Sequence, residues 1–412
     1  MTLTASRRLS PLQEIWSSPL YRGAALAMFL SGLGTSAAAP QIVLFLAREL
    51  GTSLPTAGLY YLTSLTAPIA GYLVGSYSDR TGGRLGLFRL CAMAGFVGWA
   101  GFAVATEAWV PFAIGALVLA FSGAAASQLF AAVHDELSRN PARANDDVVA
   151  VIRMALTAGW VIGPALGAWI AAETGLRALF WGTAICFLAQ IVPLGRLTVS
   201  APPRAGVSDR VPPHGRARFG AMVPLLAFTG LFVLVYAGEA IKFGFLLLYM
   251  EEHLRIPPSL RGAIIGIQPL VELIIMPFSV TLARRFGALN LMAVAAGLCV
   301  AANLCFAGWP SVWGMFAGQI LMGGVWGLFA VLGILVAQRL LPDAVATASA
   351  IFMSSSALSS ALGGVAGSIG VAAFGLPSVF FIPAALSLLA LAGLAAMARQ
   401  GAVRQLLNQG PP

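Results

Sequence analysis

Charge is what this sequence has least of. Only 9% of its 412 residues are Asp, Glu, Lys or Arg, against about 25% in an ordinary soluble domain, while 59% are hydrophobic and the mean hydropathy is +0.87. No soluble fold can hide that much apolar surface. Lysine is almost missing: Lys242 is the only one among 24 basic residues, so arginine carries the formal net charge of +9. Those arginines are scattered through short loops and do not form the one-sided patch that binds nucleic acid. Cysteine is sparse too. Cys91, Cys186, Cys299 and Cys305 lie in apolar runs without a CxxC pair, which argues against a disulfide framework. His134, His214 and His253 stand alone at helix ends or in a polar segment. With no metal-ligand spacing, no phosphate-binding loop and no Ser or Cys paired with a His, neither an enzyme nor a metal or other cofactor is expected. Residues 1–19 contain Arg7 and Arg8 but no short apolar core with a cleavage site, so the first apolar run is expected to direct insertion itself.

What the sequence has in abundance is apolar runs of membrane-crossing length. A helix needs roughly 20 apolar residues to cross the hydrocarbon core, and twelve such runs are bounded by charge, Pro or Gly. Their spans are 20–47, 56–77, 85–105, 109–133, 147–172 and 176–195, then 219–249, 259–283, 287–308, 311–340, 344–373 and 376–398. Residues 196–218 between the two sets are rich in Pro and Arg and read as a flexible linker. The expected architecture is therefore all-α and integral to the membrane. It comprises an N-terminal tail (1–19), a six-helix bundle (20–195), the linker (196–218), a second six-helix bundle (219–399) and a C-terminal tail (400–412).

Arginine placement gives the orientation. Counting loops alternately from the inside, Arg7, Arg8, Arg22, Arg80, Arg84, Arg89, Arg139, Arg143, the five linker arginines, Arg284, Arg285, Arg339, Arg399 and Arg404 fall on one side. Only Arg48, Arg177, Arg255 and Arg261 fall on the other. An 18 to 4 bias predicts that both termini and the linker face the cytoplasm.

The loop after the second span reads Gly75-Ser-Tyr-Ser-Asp79-Arg80-Thr-Gly82-Gly83-Arg84. It resembles the GxxxDRxGxR signature of the major facilitator superfamily, in which the motif docks against the eleventh helix and latches the cytoplasmic side closed. Gly75 permits close helix approach, Asp79 places an anion near a helix end, and Gly82 permits a tight turn. Read as a bare loop, the same residues would only obey the positive-inside rule. Arg284-Arg285-Phe286-Gly287 is a degenerate copy at the corresponding place in the second half, as a repeat of two six-helix units requires. The fifth span carries Gly159, Gly163, Pro164 and Gly167, similar to the GxxxGPxxG stretch of exporting antiporters. Small residues four apart are also how membrane helices ordinarily pack.

Taken together, the polar landmarks are similar in spacing to the bacterial sugar efflux transporter family over most of residues 30–370. These are Pro40, Phe45 and Glu49; Gln128, Phe130 and Ala131; Arg153, Trp160 and Gly163; Glu272; and Gln319, Gly327, Gly333, Gln338 and Pro342. That resemblance implies proton-driven export of sugars or related metabolites across a bacterial inner membrane, with a small-molecule substrate, protons and the lipid bilayer as partners and a monomer as the working unit. Two departures leave the substrate open. Glu239 and Lys242 stand in the seventh span where neutral polar residues are expected, favouring a charged or zwitterionic ligand. The arginine that drug antiporters carry in the fourth span is missing near Leu119. An uptake symporter, a drug or metabolite antiporter and a non-transporting receptor or scaffold remain as alternatives.

A charge at the bilayer centre costs about 2.5–3.5 kcal/mol, so Arg153, Glu239, Lys242 and Glu272 should each face protein or water. Glu239 and Lys242, three apart, share a helix face and can pair with each other or hold substrate. Glu272, beside Gln268, has no obvious local partner, which suits a group that loads and unloads a proton, with substrate binding or a structural bond to another helix as the alternatives. Arg153 is close enough in sequence to the fourth span for Asp135 or Glu136 to neutralise it. Gln41, Gln128, Gln268 and Gln319, with Trp160, are the remaining residues expected to line a polar cavity.

Overall fold

The computed structural model describes residues 15–139, 146–198 and 219–400, and these are helical throughout apart from short connections. Eleven helices among them are long and apolar enough to cross a membrane. These are α1 (Pro19–Arg48), α3 (Arg84–Val104), α4 (Trp109–Arg139), α5 (Val148–Thr174), α6 (Leu176–Leu194), α7 (Met222–Glu252), α8 (Pro258–Phe286), α9 (Ala288–Gly308), α10 (Val312–Leu340), α11 (Thr347–Phe374) and α12 (Ser378–Arg399). Most of the expected linker (residues 199–218), the first 14 residues and residues 401–412 lie outside the described residues.

The second expected span departs from a single α-helix. It runs as Leu54–Gly58, a 3₁₀ stretch Leu59–Thr66 and Ala67–Thr81, together α2. Local chemistry accounts for the break. Ser64 Oγ donates to the Tyr61 carbonyl (2.6 Å) and Thr66 Oγ1 to the Thr63 carbonyl (2.8 Å), competing with the regular ladder. Pro68 then contributes no backbone N–H. α2 ends at Gly82, whose φ of +68° is left-handed, so the turn predicted before Arg84 needs this glycine.

Residues of α5 form a close crossing with α1. A Cβ on Gly159 would come within 2.5 Å of the Leu33 nitrogen, one on Gly163 within 2.6 Å of the Leu33 oxygen, and one on Gly167 within 2.6 Å of the Ala37 oxygen. Ser36 Oγ donates across the same seam to the Gly159 carbonyl at 3.2 Å. The glycine motif is thus the α1–α5 contact, with Pro164 beside it inside the helix. On its other side α5 meets α8, where a Cβ on Gly262 would come within 2.6 Å of the Ala165 Cα and one on Gly266 within 2.9 Å of the Val161 oxygen.

The helices before and after the linker meet chiefly at one end. There α1 is tied to α7 by Arg48 pairing with Glu251 and, at 3.3 Å, with Glu252. α2 lies on α11, with Gly364 against the Gly58 oxygen and Ser64 Oγ donating to the Ala357 carbonyl at 3.4 Å. At the opposite end, which carries the α2–α3 loop, Gly71 and Gly75 face nothing within 4 Å and the Asp79 side chain is 66% exposed. Among the described residues, the space between the two sets of helices is sealed at the first end and open at the second.

Candidate functional site

Between the seal and the opening lies a cavity of about 310 Å³, walled by α1, α5, α7, α8 and α10. Helical period explains which side chains reach it. Tyr236, Glu239 and Phe243 recur at i, i+3 and i+7 on α7; Ile265, Gln268, Pro269 and Glu272 share a face of α8; Thr157, Trp160 and Pro164 do so on α5. Pro40 and Ser36 of α1 and Trp326 of α10 complete the wall.

The charges here are arranged unequally. Glu239 and Lys242 are 5% and 3% exposed, and Lys242 Nζ stands 2.6 Å from Glu239 Oε2. Lys242 Nζ also donates to Gln268 Oε1, Trp326 Nε1 donates to Glu239 Oε1, and Gln268 Nε2 reaches the same oxygen at 3.5 Å. Lys242 further lies 4.9 Å from the centre of the Phe243 ring, a cation–π contact. Four side chains from three helices therefore close on one another. Glu272 is different. It lines the cavity one turn beyond Gln268, near enough to feel both Glu239 and Lys242, but makes no hydrogen bond or ion pair among the described residues. Aromatic rings supply the rest of the surface, with Tyr236 edge-on to Trp326 at 4.8 Å between centroids.

Of the residues singled out from sequence, Glu239, Gln268, Glu272 and Trp160 line this cavity, and Lys242 joins it through its partners. Arg153 is exposed one turn beyond Thr157 on the same face of α5, which puts it at the open mouth. Asp135 and Glu136, the two carboxylates expected to neutralise it, both have other arginines beside them. Asp135 is taken by Arg84 at 3.1 Å, and Glu136 pairs with Arg139 at 3.3 Å.

Three glutamines lie elsewhere. Gln128 accepts from Ser78 Oγ at 2.5 Å, in a cluster where Arg84 also holds Ser78 (2.9 Å), Asp79 (2.7 Å) and Asp135. The loop motif is therefore tied to α4 within the first set of helices, and no hydrogen bond or ion pair joins it to α11 among the described residues. Arg80 is exposed. Gln41 opens on a second cavity nearer the sealed end, and Gln319, 1% exposed, is buried in α10 two turns from Trp326. The serines of α11 bond to carbonyls of their own helix, Ser354 to Ala350 at 2.7 Å and Ser356 to Met353 at 3.1 Å. Sequence reasoning missed Tyr236, Phe243 and Trp326. The α7 pair was legible as aromatics in register with Glu239, whereas Trp326 sits in a helix apolar on all sides, with no pattern to single it out.

Comparison with known proteins agrees with this geometry. A putative sugar efflux transporter from Deinococcus radiodurans is 27% identical over 375 residues, covering 89% of this chain and 95% of that protein. Sugar efflux transporter A of Dickeya chrysanthemi is 27% identical over 358 residues, covering 85% of this chain and 88% of its own length. Among solved structures, the nucleoside transporter NupG superposes with a TM-score of 0.77 at 16% identity, covering 92% of this chain and 99% of that one, a likeness of fold. The Major Facilitator Superfamily profile matches residues 24–237 and again 228–410, so the halves match it separately. A cavity between two sets of membrane helices, aromatic with a few polar groups and sealed at one end, is the site of a transporter and not of an enzyme, and the chain belongs to the Major Facilitator Superfamily.

Proposed function

We propose that the protein is a proton-coupled exporter of sugars or related uncharged metabolites, built from twelve spans in two six-helix halves and working by alternating access as a monomer in a bacterial inner membrane. The double match of the family profile supports the two halves, and α2, although broken by its 3₁₀ stretch, supplies the twelfth span. The arginine bias supports cytoplasmic termini, which makes the open end cytoplasmic and the sealed end external. The Asp79–Arg84 loop then latches the opposite state by docking on α11.

The observation that carries the reading is the contrast within the cavity. Glu239 and Lys242 satisfy each other with Gln268 and Trp326, so they offer an incoming ligand little net charge. Aromatic faces beside amide and carboxylate oxygens are the surface a sugar ring uses, apolar on its C–H faces and hydrogen-bonding at its rim. Glu272 is left as the carboxylate that exchanges a proton with the two sides in turn. The sugar class follows the names of the relatives from Deinococcus and Dickeya. Inverted membrane vesicles energised to acidify their lumen should accumulate a labelled sugar from a panel of mono- and disaccharides, and collapse of the proton gradient should release it. Accumulation of a labelled amino acid or cationic dye, with none of any sugar, would replace this reading with the charged-substrate one.

A further inference from the structure

Toward the sealed end, the helices α1, α5, α7 and α8 line a second cavity of about 340 Å³. Its lining continues four of the five helices of the first, all but α10. α5 passes from Trp160 to Ala168 and Ala171, α8 from Gln268 to Arg261, and α7 from Glu239 to Glu251. At about 1.5 Å per residue these steps are roughly 10–18 Å. The two spaces lie in series, separated by the close α5–α8 approach at Gly262 and Gly266. Above the second one, Arg48 reaches across to Glu251 and Glu252, and Arg261 shares Glu251.

The wall of this space holds two buried polar atoms without partners among the described residues. Gln41, 4% exposed, has an unbonded Oε1, and Arg261 has an unbonded Nε. One needs a donor and the other an acceptor. An anion would serve Arg261 but not the Gln41 oxygen, and it would meet the Glu251 carboxylate. A cation would meet two guanidinium groups. An apolar molecule would leave both atoms stranded. A hydroxyl group donates and accepts, so a compound carrying several hydroxyls answers both at once.

We propose that this cavity is a second binding station for an uncharged polyhydroxyl substrate, one step nearer the sealed end, with Gln41 and Arg261 as its polar contacts and the Arg48–Glu251 pair as its lid. It rests on the sugar-class reading of the central cavity. The test uses the full chain in detergent, its four native cysteines replaced by alanine, with one probe thiol at a time: Thr157→Cys in the central cavity or Ala171→Cys in the second. The rate of modification by methyl methanethiosulfonate is measured with and without lactose, sucrose or maltose. The expected result is several-fold slowing at both probes by the same sugar, with Gln41→Ala abolishing protection at Ala171→Cys and sparing it at Thr157→Cys. Protection at Thr157→Cys alone would overturn the second station and leave the sugar reading standing. An Ala171→Cys thiol that never reacts, or whose protection survives Gln41→Ala, would also overturn it, because the cavity would be shut to solutes or merely squeezed by closure. Protection at neither probe would remove the sugar reading and the second station with it.

Discussion

Glu239 and Glu272 are carboxylates on neighbouring helices beside the same cavity, and they differ in nearly every contact. Glu239 is held by Lys242, Trp326 and Gln268, whereas Glu272 has no bonded partner among the described residues. In the proposed reading the first is part of the architecture and the second is available. The difference suggests a test of whether partners, more than burial, divide structural charges from working ones in a membrane interior, where an unpaired ionisable residue is by default a functional hypothesis.

The sharpest way to break that division is to remove one member of the closed network. Lys242→Met should cost about 3–5 kcal/mol of stability by stranding Glu239, and Glu239→Gln should do similar damage to Lys242. The pair removed together should recover most of the loss. Melting of the purified proteins in detergent checks this, and singles that melt like the parent protein would show that the network is not closed. Trp326→Phe should have a smaller effect of about 1–3 kcal/mol, because it keeps the ring but deprives the Glu239 carboxylate of a buried donor. The same melting assay should rank it below either charge removal. Outside the cavity, Asp79→Asn should leave the melting temperature almost unchanged, since Asp79 is largely exposed and its pairing with Arg84 is a surface one. Its transport rate should nevertheless fall several-fold, because the latch acts in the opposite state. Unchanged turnover would reduce the motif to a charged loop.

Much of this was readable from sequence. Eleven of the expected spans recur because apolar length is imposed by the bilayer and needs no tertiary context. The second span was blurred by Ser64, Thr66 and Pro68, whose local hydrogen bonding breaks the α-helix. The charges Glu239, Lys242 and Glu272 stood out because they are expensive where they are. The sequence left open whether Glu239 and Lys242 were meant for each other or for substrate, and their contacts with Gln268 and Trp326 required knowing which residues of α8 and α10 face α7. Gln41, Gln128 and Gln319 looked alike in sequence and have three different settings: a second cavity, a hydrogen bond to Ser78, and the interior of α10. Helix membership was legible for each, but the depth and rotation that decide contact were not.

The most direct test of the account is sugar movement by Glu272→Gln in reconstituted vesicles, measured both as uphill accumulation against a proton gradient and as exchange of labelled for unlabelled sugar. Gln keeps the shape of Glu and, like its protonated form, both donates and accepts hydrogen bonds, but cannot release a proton. The account predicts at least a tenfold loss of uphill accumulation, exchange within about twofold of the parent protein, loss of the pH dependence of transport, and unaltered melting. Uphill accumulation retained with its normal pH dependence would contradict it.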